Sequence, residues 1–428
     1  MERIRLKLSQ NALWTHLVLC IFTQIISGST DFSQRARNLM ETNPLIDGHN
    51  DLPLQLRRLY KNRLSEIDLR TINTTRTNLH KLKIGHVGAQ FWSAYVLCSA
   101  QDKDAVRLAL EQIDVIKRMC KDYEELELVT SSQGIESTKK IACLIGLEGG
   151  HIIDSSLGAL RMFYDLGARY MSLTHTCNTP WAETSGGGQH KFYQGRKSLT
   201  DFGAEVVREM NRIGMIIDLS HTSSNTSRAV LAISKAPVIF SHSAVFALCG
   251  IERNVPDDIL LGIKKNKGIV MVNFHKDFIA CRKPANISTL ADHFDYIKNL
   301  TGPEYIGIGG DYDGVNGFPE GLEDVSKYPL LIQELLRRGW QDQEIKGILR
   351  ENFLRVFRQV EKVREDLQNL KASEVEIPED ELDYSCRLDL RKYERQSRNA
   401  SGYHESSVSA FPLITYILSC ILITMNIH

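Results

Sequence analysis

His49 and Asp51 stand two apart in the run Leu45-Ile46-Asp47-Gly48-His49-Asn50-Asp51. On an extended segment residues i and i+2 point the same way, so this imidazole and carboxylate can grip one cation. Four other apolar runs end in comparable side chains: Ile141 to Glu148, Met215 to His221, Pro237 to His242 and Tyr305 to Asp311. Brought together, they form an N/O ligand set suited to zinc or a similar ion. Glu148 has two carboxylate oxygens and can bridge two ions, and two-metal hydrolases hold their ions ~3.5–4 Å apart around an activated water. His49 and Asp51 would serve one ion, His221 and His242 the other, and Glu148 both. The alternative for Glu148, a helix-capping acid, fits poorly, because an unpaired carboxylate directly after a buried strand is costly.

Other residues suit steps around such a centre. His151, three residues after Glu148, could polarise a carbonyl or hydrogen-bond an oxyanion. Asp311 could take a proton from a bound water and pass it to a leaving amine. Asp313 reads as loop-shaping. Arg253 could hold a substrate carboxylate bidentately, and a salt bridge with Asp257 or Asp258 is the alternative. His175 also ends a strand, but it would be a third histidine for a site already full and is read as supporting or structural. Asp47, Asp218, His275 and His293 are placed in the same class.

Convergence of these residues needs parallel strands, whose C-terminal ends share one face of a barrel or sheet. Three further apolar runs, His86–Val96, Ala168–His175 and Gly268–Phe274, bring the expected strands to eight. Runs of this kind suit strands buried on both faces. Helical segments separate them. Thr200 to Ile213 puts Phe202, Val206, Met210 and Ile213 on one face, with Thr200 as N-cap and Gly214 as stop. Asp104–Met119, Ser156–Leu166, Asp258–Lys265 and Leu290–Leu300 read likewise. The expected fold is α/β, a (β/α)₈ TIM-type barrel, with an open doubly wound sheet as the alternative. Helices at 328–338, 341–349 and 352–370 form a C-terminal helical segment, followed by a polar, acidic stretch.

The chain has 428 residues, 43% hydrophobic and 24% charged, with a formal net charge of +0. That is enough for one large domain. No basic stripe interleaves with aromatics, so a nucleic-acid partner is not expected. Arg3, Arg5 and Lys7 precede an apolar run from Ala12 to Ile26 and then small residues, which reads as a signal peptide over 1–29. Residues 30–385 would be the catalytic domain. At the other end, Phe411 to Thr424 is apolar but short for a membrane span. A polar spacer and the cluster Asn399-Ala400-Ser401-Gly402 precede it. That order matches a glycosylphosphatidylinositol signal over 403–428, with attachment placed at Ser401. The sequons at Asn73, Asn286 and Asn299 fit a secreted route and the outer face of the cell membrane; Asn225 and Asn399 also match the pattern.

Cysteines in such a compartment form disulfides. Cys98, Cys177, Cys249 and Cys281 fall in loops after expected strands. Neighbouring loops suggest Cys249–Cys281, which leaves Cys98–Cys177. Cys143, inside an apolar strand, and Cys120, closing an amphipathic helix, are expected to be buried free thiols. Cys386 stands alone in the polar tail at 386–402 and suggests an inter-chain link.

Several motifs are similar to those of the membrane (renal-type) dipeptidase family, in the metallo-dependent hydrolase superfamily. They are Asp47-Gly48-His49-Asn50-Asp51-Leu52-Pro53, Glu148-Gly149-Gly150-His151, Asn178-Thr179-Pro180-Trp181-Ala182, Ser241-His242-Ser243, Arg253-Asn254-Val255-Pro256-Asp257-Asp258 and Gly309-Gly310-Asp311-Tyr312-Asp313-Gly314. The resemblance covers roughly Asp31 to Cys386. It implies a barrel with two Zn2+ per chain, held by His49, Asp51, Glu148, His221 and His242. It further implies substrate contacts from His151 and Arg253 and proton handling by Asp311. Members are lipid-anchored, disulfide-linked homodimers that hydrolyse dipeptides, including cysteinyl-glycine bonds and leukotriene D4. Some open penem-type β-lactams. The rival expectation is a catalytically weak receptor or adhesion ectodomain on the same barrel.

Overall fold

The computed structural model describes residues 31–186 and 193–383. The expected signal peptide at 1–29, Cys386, Asn399, Ser401 and the apolar C-terminus lie outside those residues.

The strands are β1 (Leu45–Asn50), β2 (Val87–Tyr95), β3 (Leu126–Leu128), β4 (Ile141–Glu148), β5 (Ala168–Ser172), β6 (Ile216–Asp218), β7 (Ile239–Ser243), β8 (Ile269–Val272) and β9 (Ile306–Ile308). All neighbouring pairs are parallel, in the order β2-β1-β9-β8-β7-β6-β5-β4-β3, and a further β2–β4 pairing closes the ring. Eight strands therefore make the expected barrel. The ninth, β3, was not anticipated. It pairs only with the first residues of β4, Leu126 opposite Ile141 and Leu128 opposite Cys143, before β5 joins at Ile145.

The barrel interior packs Ile46, Phe91, Leu144, Tyr170, Ile216, Ile239, Ile269 and Met271 into one cluster with Phe353 and Phe357 of the helix Asn352–Asp366. That C-terminal helix closes the end of the barrel opposite the strand C-termini. The Asn352 side-chain amide donates to the carbonyls of Pro303 and Ile306, which fixes it there. A second, larger cluster lies between the strands and the outer helices. The helix Asp201–Ile213 shows how sequence sets an element: the Thr200 hydroxyl accepts from Gly203 N at 3.3 Å, and Gly214 ends the helix at φ 81°.

Disulfides Cys98–Cys177 and Cys249–Cys281 are present as expected. Cys120 and Cys143 are not free: they form a third, with Cα atoms 6.4 Å apart. Cys120 closes the helix Ala105–Asp122, which packs on the outer face of β4, where Cys143 points. Two buried cysteines that face each other across a helix–sheet contact at this Cα separation are within reach of a disulfide. Asn73, Asn286 and Asn299 are all exposed. Asn286 caps the helix Ile287–Thr301. Among the described residues no helix is long and apolar enough to cross a membrane.

Candidate metal centre

The strand ends deliver a dense cluster of buried imidazoles and carboxylates. His49 lies within β1, and Asp51 follows it by two residues. The His49 Nε2 is 3.1 Å from Asp51 Oδ2 and 3.4 Å from Glu148 Oε2. Glu148 is the last residue of β4 and is 4% exposed. Its Oε1 lies 3.2 Å from His221 Nε2, 3.5 Å from His242 Nε2 and 3.6 Å from His175 Nε2. Its Oε2 accepts from the Ser93 hydroxyl at 2.9 Å. The Nε2 atoms of His221 and His242 face each other at 2.9 Å.

Three ligand groups emerge, each with donor atoms within 4.8 Å of one another: His49, Glu148 and His242; Glu148, His175 and His221; His49, Asp51 and Asp311. The donor set is all nitrogen and oxygen, it is buried, and Glu148 is common to two of the groups. Asp51 Oδ1 is buried with no hydrogen-bond partner. A buried carboxylate oxygen left without a partner is costly unless a cation occupies the space beside it. These residues fit a metal ion or pair of ions.

The backbone is bent to deliver these groups. His221 and Asp311 both sit at positive φ, 69° and 58°, a conformation that costs a non-glycine residue about 1 kcal/mol or more. The surroundings impose it. The His221 carbonyl accepts from Ser185 N at 2.8 Å and from the Thr174 and Thr184 hydroxyls. Asp311 N donates to the His49 carbonyl at 3.2 Å, which ties β9's exit to β1. Gly314 must stay a glycine, since a Cβ there would lie 2.2 Å from Asp51 Oδ2 and 2.5 Å from Asp311 Oδ1.

Electrostatics divide the titrating groups. Burial, with the Arg253 charge and neighbouring imidazoles, holds His221 and His242 well below the usual histidine range, so both are neutral. Burial likewise takes His175 down to about 4. His49 differs: burial works against its cation, but Tyr170, Glu148 and Asp51 together raise it well above its ordinary value. Burial would raise Glu148, yet His49, His221 and His175 outweigh that and hold it ionised. Burial pushes Asp311 up to about 7, with Asp51 and Glu148 adding to the effect.

The remaining expected residues fall in different places. Arg253 borders the cluster: its Nη1 donates to the Ser243 hydroxyl at 2.6 Å and its Nη2 to the His242 carbonyl at 2.7 Å. Its guanidinium lies over the Phe278 ring at 5.5 Å, and its Nε is buried without a partner. No carboxylate among the described residues pairs with it. Asp258 pairs with Arg228, and Asp257 accepts from the Tyr296 hydroxyl. Asp311 Oδ2 accepts from Asn273 at 2.8 Å. Asp313 caps the Arg76 backbone amide.

His151 turns aside. Its Nε2 donates to the Val96 carbonyl at 2.8 Å, and it groups with the sulfurs of Cys98 and Cys177 rather than with Glu148. His175 is the histidine that sequence reasoning set aside. Its ring stands between Tyr95 and His221, at 4.6 and 4.3 Å between centroids, with Nε2 turned to Glu148. The signal for it was its position at the end of the β5 run, the same signal that selected the others.

The comparisons with known proteins agree with this geometry. The family described as membrane dipeptidase (peptidase family M19) matches residues 33–371. Dipeptidase 3 of Mus musculus is 56% identical over 357 residues, which is 83% of this chain and 72% of that protein. Dipeptidase 3 of Homo sapiens is 57% identical over 360 residues, covering 84% and 74% respectively. Among solved structures, the probable dipeptidase PvdM from Pseudomonas aeruginosa superposes with a TM-score of 0.71 at 20% identity, covering 78% of this chain and 99% of that one. A metallopeptidase from Rhodobacter sphaeroides, liganded with a phosphinate mimic of the dipeptide L-Ala-D-Ala, has a TM-score of 0.68 at 24% identity, covering 74% and 99%. Those two likenesses establish the barrel, while the family match and the closely similar relatives establish kinship. The chain belongs to the membrane dipeptidase family, peptidase family M19, and is a hydrolase of the metallopeptidase class.

Proposed function

We propose that this chain is a zinc-dependent dipeptidase in which His49 and Asp51 hold one ion, His221 and His242 the other, and Glu148 both. The single observation that carries this is the sharing of one buried carboxylate, Glu148, by imidazoles from several strand ends, beside an uncompensated guanidinium. The zinc pair would supply Lewis acidity and an activated water. The protein's own groups do the rest. Arg253 binds the free carboxylate of a substrate. Its hydrogen bond to the His242 carbonyl keeps that guanidinium beside the ligand cluster. Asp311 takes a proton at Oδ1 and delivers it to the departing amine. His175 faces the substrate carbonyl. That role suits it better than His151, whose Nε2 proton is already spent on Val96 and whose place is to order the loop after β2.

Cysteinyl-glycine fits this site as a small dipeptide. Leukotriene D4 and penem-type β-lactams also carry an amide-type carbonyl near a free carboxylate and belong in the same substrate panel. The test is hydrolysis of that panel by the purified protein with and without a zinc chelator. Chelator-sensitive cleavage, restored by added zinc, is expected. Two zinc ions per chain with no cleavage of any member would favour the receptor reading instead.

Metal uptake should release protons. A ligand histidine must be neutral, and His49 is raised well above its ordinary value in the metal-free chain while His221 and His242 are already neutral. Lowering pH therefore favours the protonated, metal-free form. Apparent affinity should fall as pH drops through the raised His49 value, approaching about tenfold per pH unit below it for one released proton. Calorimetric titration in two buffers of different ionisation enthalpy measures this, and no proton release at pH 7 would contradict it.

The same reading places the enzyme on the outer face of the cell membrane, lipid-anchored at Ser401, glycosylated at Asn73, Asn286 and Asn299, and paired as a homodimer through Cys386. Terminal sequence patterns and the family support this. Release from cells by phosphatidylinositol-specific phospholipase, and a dimer band on non-reducing gels only, are the corresponding checks.

A further inference from the structure

We propose that Tyr170 is a positioning residue for the metal centre, fixing the tautomer and ring orientation of His49 from the opposite side of the barrel. The proposal rests on the reading of His49 as a metal ligand.

Tyr170 lies on β5 and is fully buried. Its hydroxyl oxygen is 2.9 Å from His49 Nδ1 and 3.1 Å from the Gly48 carbonyl, both on β1. A carbonyl cannot donate, so the bond to Gly48 uses the one phenol proton. The phenol oxygen can then only accept from His49, which puts the imidazole proton on Nδ1. In the neutral, metal-binding form of His49 the Nε2 lone pair then faces Asp51 and Glu148, where a cation would sit.

The same logic recurs on His242 with unrelated parts. The Ser241 hydroxyl donates to Asp218 Oδ2 at 2.6 Å and therefore accepts from His242 Nδ1 at 2.8 Å. In both cases a hydroxyl whose proton is committed elsewhere receives Nδ1–H and turns Nε2 to the centre. Ligand histidines are oriented in this way by an acceptor on their far nitrogen. Recurrence on two strands with different chemistry points to orientation of ligands rather than to core packing.

The barrel is shaped to admit the ring. Gly146 on β4 is paired in register with Tyr170, and a Cβ at Gly146 would fall 2.1 Å from Tyr170 Cζ and 2.5 Å from its hydroxyl. Phe91 of β2 packs against the ring at 4.9 Å between centroids. A phenylalanine at 170 would keep these contacts and lose only the hydroxyl.

The experiment is Tyr170→Phe in the full chain. Zinc affinity is measured by competition with a chromogenic chelator, and ligand geometry by the visible spectrum of the cobalt(II)-substituted protein. One of the two ions is expected to bind about 10–100-fold more weakly, the other unchanged, with an altered cobalt spectrum. The melting temperature of the metal-free protein should match wild type. Wild-type affinity and spectrum in the variant would overturn the proposal. So would weakened binding of both ions together with a lower metal-free melting temperature, which is the pattern of a packing defect. If the wild-type chain itself binds no divalent ion, the metal-centre reading fails, and the role of Tyr170 with it.

Discussion

Glu148→Gln is expected to abolish dipeptide hydrolysis and to strip most of the bound metal. Glu148 is the one residue whose two oxygens meet different halves of the cluster: Oε2 faces His49, and Oε1 faces His221, His242 and His175. Glutamine keeps the shape but turns one oxygen into an NH₂ donor. That donor would point at imidazole nitrogens or at a cation, depending on its orientation, and neither ion would keep an anionic bridge. With Glu148 as the proposed bridge between two ions, loss of its charge should reduce kcat/KM by on the order of 10³-fold or more, since metal-derived stabilisation is worth several kcal/mol. Elemental analysis beside steady-state kinetics tests this. A variant that keeps two ions and a tenth or more of wild-type kcat/KM would show that Glu148 does not bridge.

The five strand-end residues were legible because each ends an apolar run, and apolar runs at this spacing encode parallel strands. The barrel followed from the same pattern. Other features left no such trace. Leu126-Glu127-Leu128 is too short to show a period, and β3 is a strand only because the start of β4 offers it an edge. The Cys120–Cys143 disulfide depends on which face of the helix Ala105–Asp122 meets the sheet, which spacing alone does not fix. His151 and His175 are a sharper case. His151 is near Glu148 in sequence, yet the 3-10 turn Gly150–Ile153 swings it toward Val96. His175 is far in sequence but adjacent in the barrel, because β5 lies beside β4. Tyr170 reads as one more core aromatic until the hydrogen bond of its hydroxyl to His49 is seen. Proximity in sequence misleads at sites assembled from strand ends, and the order of strands around the barrel corrects it.

Asp311→Asn should leave both ions bound while lowering kcat by about 10²–10⁴-fold, the usual range for loss of a positioned acid–base group, with KM little changed. Two roles compete for this carboxyl. It lies with His49 and Asp51 in a group that could hold an ion, and it also has the features of a proton carrier. Asn273 holds its Oδ2 at 2.8 Å, which leaves Oδ1 turned toward Asp51 and Gly314. Burial raises it to about 7, so it exchanges a proton near neutral pH, which a carboxylate with an ordinary value does poorly. Asparagine preserves the bond geometry to Asn273 through its carbonyl oxygen but can neither accept nor release a proton. If Asp311 is the proton carrier, the variant retains its metal, binds dipeptide with near-normal affinity, and turns over slowly without the wild-type pH dependence around neutrality. If it is a ligand, elemental analysis will show the ion beside His49 and Asp51 lost. The metal content of this one variant therefore decides between the two roles, whatever the rate.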